Sequence, residues 1–312
     1  MASPSNKRIK HDLSPFVISY EDGTIDRVGF SAPVPPSPSD PTTGVASKDV
    51  IIDSSTGVWA RLYLPKLSDS DQPKLPLLVY FHGGAFILHS PATPIYHAHL
   101  TSLSAAARAV IVSVDYRLAP EHPIPAAYDD SLSALKWVAA HSSGAGPEEW
   151  LNLHADFGRV FLAGDSSGGN ISHHMAMKGE EARGGLRLRG VAMVNPSFWG
   201  SEEVGEMKEM VERLWEISSP DFEVDDPWLN PFGTGAHGLR GFGCERALVC
   251  VAGMDWFRGR NLLYCEGLKG SGWEGTVEVF ETEGEGHVFH LFEPKKETAK
   301  ALMGKIVEFL NS

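Results

Sequence analysis

The sequence predicts an α/β fold, with a mostly parallel central sheet covered by helices on both faces. Three observations carry this reading. Short continuous apolar runs at 77–81, 110–114 and 247–252 have the character of strands buried on both sides. They alternate with helical segments at 98–108, 126–140 and 299–310; the last carries Leu302, Ile306, Phe309 and Leu310 on one side. A chain of 312 residues with 42% hydrophobic content is also large enough to bury one extended core.

The elements follow in order. Residues 1 to about 48 form a leader. In it 16–20 fits either helix or strand, Glu21-Asp22-Gly23 is a turn, and 25–30 alternates like a strand. The run Pro33-Val34-Pro35-Pro36-Ser37-Pro38 must be extended, because consecutive prolines enter neither a helix nor a central strand. Strands at 49–52 and 58–64 around the turn at 54–57 make a hairpin, and 68–74 is polar loop. Further strands are expected at 159–163, 190–194 and 277–280, and further helices at 169–178 and 257–269. The Trp-containing stretch 202–231 interrupts the alternation and reads as a lid insertion. One domain over 1–312 is expected, with a cap built from about 1–48 and an insertion at about 200–232.

Composition excludes several classes of function. Lys plus Arg number 27 and Asp plus Glu 40, a net charge of −13 that leaves no broad basic face for a phosphate backbone. No apolar run approaches the roughly 18 residues of a membrane span. The three cysteines, Cys244, Cys250 and Cys265, form neither a CxxC pair nor an even framework. Residues 1–13 lack the apolar core of a secretory signal, and the basic cluster Lys7-Arg8-Ile9-Lys10 reads as a solvated tail. A cytoplasmic location and a monomer or homodimer are expected. No P-loop, dinucleotide fingerprint or H-E-x-x-H is present, so neither cofactor nor metal is implied.

The sharpest chemical signal is Gly164-Asp165-Ser166-Ser167-Gly168-Gly169-Asn170, a G-x-S-x-G between a strand and a helix. That setting puts a serine on a strained turn, with its hydroxyl above the sheet edge and a helix N-terminus beneath it. A second signal is His82-Gly83-Gly84-Ala85-Phe86, directly after a strand. Acyl transfer by serine builds an oxyanion, which oriented backbone amides stabilise. Gly83 and Gly84, with the amide of Ser167, are the expected donors. The serine needs a base, and the base an orienting acid. Asp255 at the end of one strand and His287 in Gly284-Glu285-Gly286-His287 beyond another meet the required chain order. His173 and His174 lie within the helix after the nucleophile, His237 falls in the lid region, and His290 reads as packing. Asp221, Asp225 and Asp226 lie in the insertion.

These blocks, together with Asp115-Tyr116-Arg117-Leu118-Ala119-Pro120-Glu121-His122-Pro123, resemble the hormone-sensitive-lipase-like branch of the α/β-hydrolases, and within it the plant carboxylesterases. The resemblance runs from about Phe16 to Leu310. It implies an α/β-hydrolase fold with a helical cap, Ser166 as nucleophile, His287 as base and Asp255 as orienter. Asp165 and the 115–120 block would support the site, and Asp129-Asp130 would start a helix. The family usually has glycine at the position of Ala85 and often alanine at that of Ser167; both changes keep the backbone N–H. The methyl of Ala85 narrows the pocket, which points to short acyl groups.

The expected activity is hydrolysis of small-molecule esters through an acyl-enzyme. Related 2-hydroxyisoflavanone dehydratases and alkaloid cyclases perform eliminations or ring closures on this scaffold, which keeps a lyase as the alternative. Gibberellin receptors also resemble the chain but lack the triad histidine, so a non-catalytic receptor is less favoured. Ala85, Phe86, Ile87, Trp199 and Trp215 are the expected pocket wall. Leu88, Phe198, Trp228 and Phe232 are further apolar residues beside the oxyanion loop or the insertion; for the aromatic ones, packing within the cap is an equal reading.

Overall fold

The computed structural model describes residues 7–28, 32–67, 74–201, 207–221, 223–233 and 238–312. The expected hairpin is present as β4 (Ala46–Asp53) and β5 (Val58–Leu64), paired antiparallel. The buried apolar runs form β6 (Leu75–Phe81), β7 (Val110–Asp115), β8 (Ala155–Asp165), β9 (Leu188–Val194), β10 (Cys244–Ala252) and β11 (Thr276–Thr282). These eight strands make one sheet in the order β11-β10-β9-β8-β6-β7-β5-β4. The six from β6 onward are mutually parallel, and β5 joins β7 antiparallel.

Helices cover both faces because β6 is apolar at every position and alternate side chains point to opposite faces. Leu77, Val79 and Phe81 belong to a core with Leu135 of α2 (Ala126–Ala139), Ile171 of α4 (Ser167–Met177) and Tyr264 of α6 (Arg258–Gly270). Leu78 and Tyr80 belong to a second core with Leu100 of α1 (Pro94–Ala107) and Phe309 of α8 (Glu297–Asn311). Two short helices are absent from the sequence-based expectation: α3 (Glu149–His154) and α7 (Phe289–Phe292).

The leader departs from a helical cap. It forms a separate antiparallel sheet of β1 (Ile9–Leu13), β2 (Val17–Tyr20) and β3 (Ile25–Arg27). Its contribution is extended because Val17 and Ser19 turn inward while Ile18 and Tyr20 are partly exposed, a two-residue period. From the insertion, α5 (Lys208–Ser218) packs on this sheet. Leu13 and Val17 meet Ile217 there, and Ile87 and Leu88 complete the cluster. Arg27 fastens the leader to the body, donating to the carbonyls of Ile87 at 2.7 Å and Ala119 at 2.9 Å and pairing with Glu121. The polar loop expected at 68–74 lies, apart from Lys74, outside the described residues, as does His237. No described helix is long and apolar enough to cross a membrane.

Candidate active site

The parallel sheet gathers four loops at the C-terminal ends of its strands, where ligands of open α/β sheets bind. The loop after β6 carries His82–His89, that after β8 Ser166, that after β10 Asp255, and that after β11 His287. The three side chains singled out in the sequence meet there. His287 Nε2 lies 2.9 Å from Ser166 Oγ, and its Nδ1 lies 2.9 Å from Asp255 Oδ2. The Asp255 side chain is fully buried, and its Oδ1 accepts the Phe257 amide at 3.0 Å, which fixes the carboxylate plane. With Nδ1–H facing the acid, the free lone pair of a neutral imidazole at Nε2 faces the serine hydroxyl.

Local backbone builds the elbow. Ser166 has φ 51° and ψ −120°, a conformation costly for a residue with a side chain and typical of functional turns. Gly168 permits it, because a Cβ there would fall on the Phe81 carbonyl oxygen at the end of β6. Ser167 opens α4, so its amide belongs to the helix N-terminus and has no intrahelical acceptor.

The loop after β6 is held from below. Tyr96 Oη accepts the Gly83 amide at 2.8 Å and donates to Asp165 Oδ2 at 2.8 Å, while Tyr80 Oη donates to Asp165 Oδ1 at 2.7 Å. Burial pushes the Asp165 carboxyl above its usual range, and these hydroxyls partly offset that. His82 stacks on Tyr116 at 4.3 Å, and burial holds its imidazole down at about 3. This corrects one expectation: the Gly83 amide is committed to Tyr96, and Gly83 does not line the cavity over Ser166. Gly84 and Ala85 do line it. Ala85 (φ 55°), Phe86 (φ 63°) and His89 (φ 75°) all have left-handed backbone, so the loop is strained at these three positions. From the end of α5, Ser218 Oγ donates to the Ala85 carbonyl at 2.8 Å.

The cavity over Ser166 holds about 170 Å³. Of the expected wall, Ala85, Phe86, Leu88 and Trp215 are present. Ile87 and Trp199 are not. Ile87 is buried in the cluster beneath the leader sheet, and Trp199 is buried against Phe257. Phe198 packs on Tyr264, Trp228 stacks on Tyr128 at 4.1 Å, and Phe232 lies against Gly267, all away from the cavity. Residues the sequence reading missed complete the wall: Phe16 of the leader, Met210 and Leu214 of α5, and Trp256, whose ring lies 4.9 Å from that of His287. Trp256 follows Asp255 directly, and that adjacency was the available signal.

His173 and Asp225, also weighed in the sequence, have structural partners. His173 meets Tyr264 Oη at 2.9 Å, and Asp225 accepts from Ser201 and Asn230. Asp130 does not act as a helix-start charge; it receives the Arg117 guanidinium and amide. Among the described residues, no group of three His, Cys, Asp or Glu stands close enough to hold a metal ion.

Comparison with known proteins agrees with this fold. Residues 78–291 match a family model described as the α/β-hydrolase fold. The chain is 47% identical to "Probable carboxylesterase 5" of Arabidopsis thaliana, across 97% of this chain and 98% of that protein. It is 43% identical to a 2-hydroxyisoflavanone dehydratase of Glycyrrhiza echinata, across 99% and 98% respectively. Among solved structures, the metagenomic carboxylesterase EstE1 superposes with a TM-score of 0.72 at 27% identity, covering 86% of this chain and 90% of that one. Fold, matched span and full-length plant relatives together make this chain a member of the α/β-hydrolase family, in its hormone-sensitive-lipase-like branch.

Proposed function

We propose that the protein is a serine carboxylesterase acting on small esters. The observation that carries this is the relay Ser166–His287–Asp255, at 2.9 Å per link, opening into an apolar cavity. Ser166 Oγ attacks the ester carbonyl as His287 Nε2 takes its proton, and Asp255 stabilises the imidazolium that forms. The amides of Gly84, Ala85 and Ser167 receive the oxyanion, with Ala85 taking the part first expected of Gly83. The tetrahedral species collapses by expelling the alcohol, which leaves with the proton held by His287. Water, activated by the same imidazole, then frees Ser166 from the acyl group. A cavity of about 170 Å³ closed by Phe16, Leu214 and Trp215 favours short acyl chains.

The test is turnover of p-nitrophenyl acetate. Ser166→Ala should abolish it without changing the unfolding midpoint, and retained turnover would refute the assignment.

The full-length likeness to a 2-hydroxyisoflavanone dehydratase supports a second reading. There His287 would abstract a proton next to a carbonyl, and the same amides would polarise that carbonyl's oxygen as water departs. Product mass separates the two: hydrolysis adds a water to the substrate and elimination removes one.

A further inference from the structure

A second cleft, of about 530 Å³, lies beside the Ser166 cavity between α1 and α8. Its apolar wall includes Leu302 and Met303 of α8. Ile95, Leu291 and Phe292 line both this cleft and the Ser166 cavity, so one layer of side chains separates them. Leu291 and Phe292 sit on α7, joined to His287 through Val288, a residue with φ 45°.

Two imidazoles also line the cleft, His99 and His290, with ring centroids 5.1 Å apart. His290 is only 3% exposed, and neither of its ring nitrogens has a hydrogen-bond partner among the described residues. A buried polar group left unpaired costs roughly 1–3 kcal/mol, so such a ring beside a cleft calls for a ligand that pairs it. Burial holds the His99 imidazole down at about 4 and pushes that of His290 well below its ordinary range. Both rings are therefore neutral near pH 7, each with one donor and one acceptor nitrogen. Such rings give a carboxylate or phosphate no positive partner. Lys300 at the rim is engaged by Glu297 at 2.6 Å. A hydroxyl fits, because it donates and accepts at one atom.

We infer that this cleft is a second binding site, for an uncharged apolar molecule bearing a hydroxyl, of the phenol or aliphatic alcohol class. The hydroxyl pairs with His290, and the apolar body lies against Ile95, Leu302 and Met303. Because Leu291 and Phe292 belong to both walls, an occupant there bears directly on the Ser166 cavity.

Calorimetric titration of the full chain with 4-methylphenol, with toluene as its hydroxyl-free counterpart, tests this without reference to hydrolysis. The wild type should bind 4-methylphenol. Ala98→Trp fills the mouth of the cleft from an exposed position on α1 and should weaken binding at least about tenfold. His290→Phe keeps the ring and removes its nitrogens. It should weaken 4-methylphenol about 3–10-fold, the worth of one hydrogen bond, while toluene changes less than about twofold. Leu214→Trp, which narrows the Ser166 cavity instead, should leave binding intact. Absence of binding to the wild type, indifference to both cleft substitutions, or loss in Leu214→Trp would each overturn the inference.

Discussion

Replacing Tyr96 by phenylalanine tests how the oxyanion loop is held. The hydroxyl of Tyr96 is buried and has two partners, the Gly83 amide and Asp165 Oδ2, both at 2.8 Å. Removing it leaves a buried amide unpaired, at roughly 1–3 kcal/mol, and takes one hydrogen bond of about 1.5–3 kcal/mol from a carboxylate. Asp165 keeps Tyr80 and can relax by protonation, so a net loss of about 3 kcal/mol is expected. The effect carries a sign in pH. The folded Asp165 carboxyl is raised, so its favourable contribution is full below the unfolded value and is lost as pH rises through the folded value. Loss of Tyr96 raises that folded value further, so the deficit of the variant should be larger at pH 8 than at pH 5. Catalysis should suffer separately. A loop displaced by about 1 Å costs on the order of 10²-fold, so kcat on p-nitrophenyl acetate should drop by about that factor with KM nearly unchanged. Urea unfolding at the two pH values and steady-state kinetics decide it. A variant with wild-type unfolding midpoint and kcat would refute the account of the loop.

Three further outcomes are expected. Gly168→Ala should destabilise the protein by about 1–3 kcal/mol or more and reduce kcat, because the methyl drives the elbow away from the end of β6; urea unfolding and kinetics read both. Leu214→Ala should raise kcat/KM for hexanoyl and octanoyl esters relative to acetyl, since it opens the wall that α5 supplies; an unchanged chain-length profile would count against that wall. Thermal stability should fall steeply from pH 6.5 to 5. His82, His89 and His99 are held neutral by burial at about 3, 4 and 4, so their contribution is full above the unfolded value and is lost as pH falls. Each such ring is worth about 1.4 kcal/mol per pH unit in that window, and the three together outweigh the two opposing carboxyls, Asp115, raised by burial to about 7, and Asp165, also raised by burial. A flat profile of melting temperature would contradict the burial argument.

The sheet was legible because a strand covered on both faces is apolar along nearly its whole length, and 77–81, 110–114 and 247–252 are runs of that kind, broken only by Ser113. α7 was not legible, since a helix of four residues has no period to detect. The three relay residues were readable because glycine-rich turns at strand ends mark where a chain must pass closely over a sheet. Which residues of the loop after β6 line the cavity was not. Tyr96 claims the Gly83 amide from thirteen positions away, and such a tertiary contact leaves no local trace. For the same reason the aromatic residues of 198–232 divided unpredictably. Trp215 faces the cavity through the helical phase of α5, whereas Trp199 and Trp228 are taken up by Phe257 and Tyr128.

The most direct test of the central claim is intact-protein mass spectrometry after treatment with a p-nitrophenyl phosphonate ester, followed by peptide mapping. A single adduct on Ser166 is predicted, absent in Ser166→Ala and formed at least about 10³-fold more slowly in His287→Ala. Labelling of another residue, or labelling of Ser166 that does not depend on His287, would contradict it.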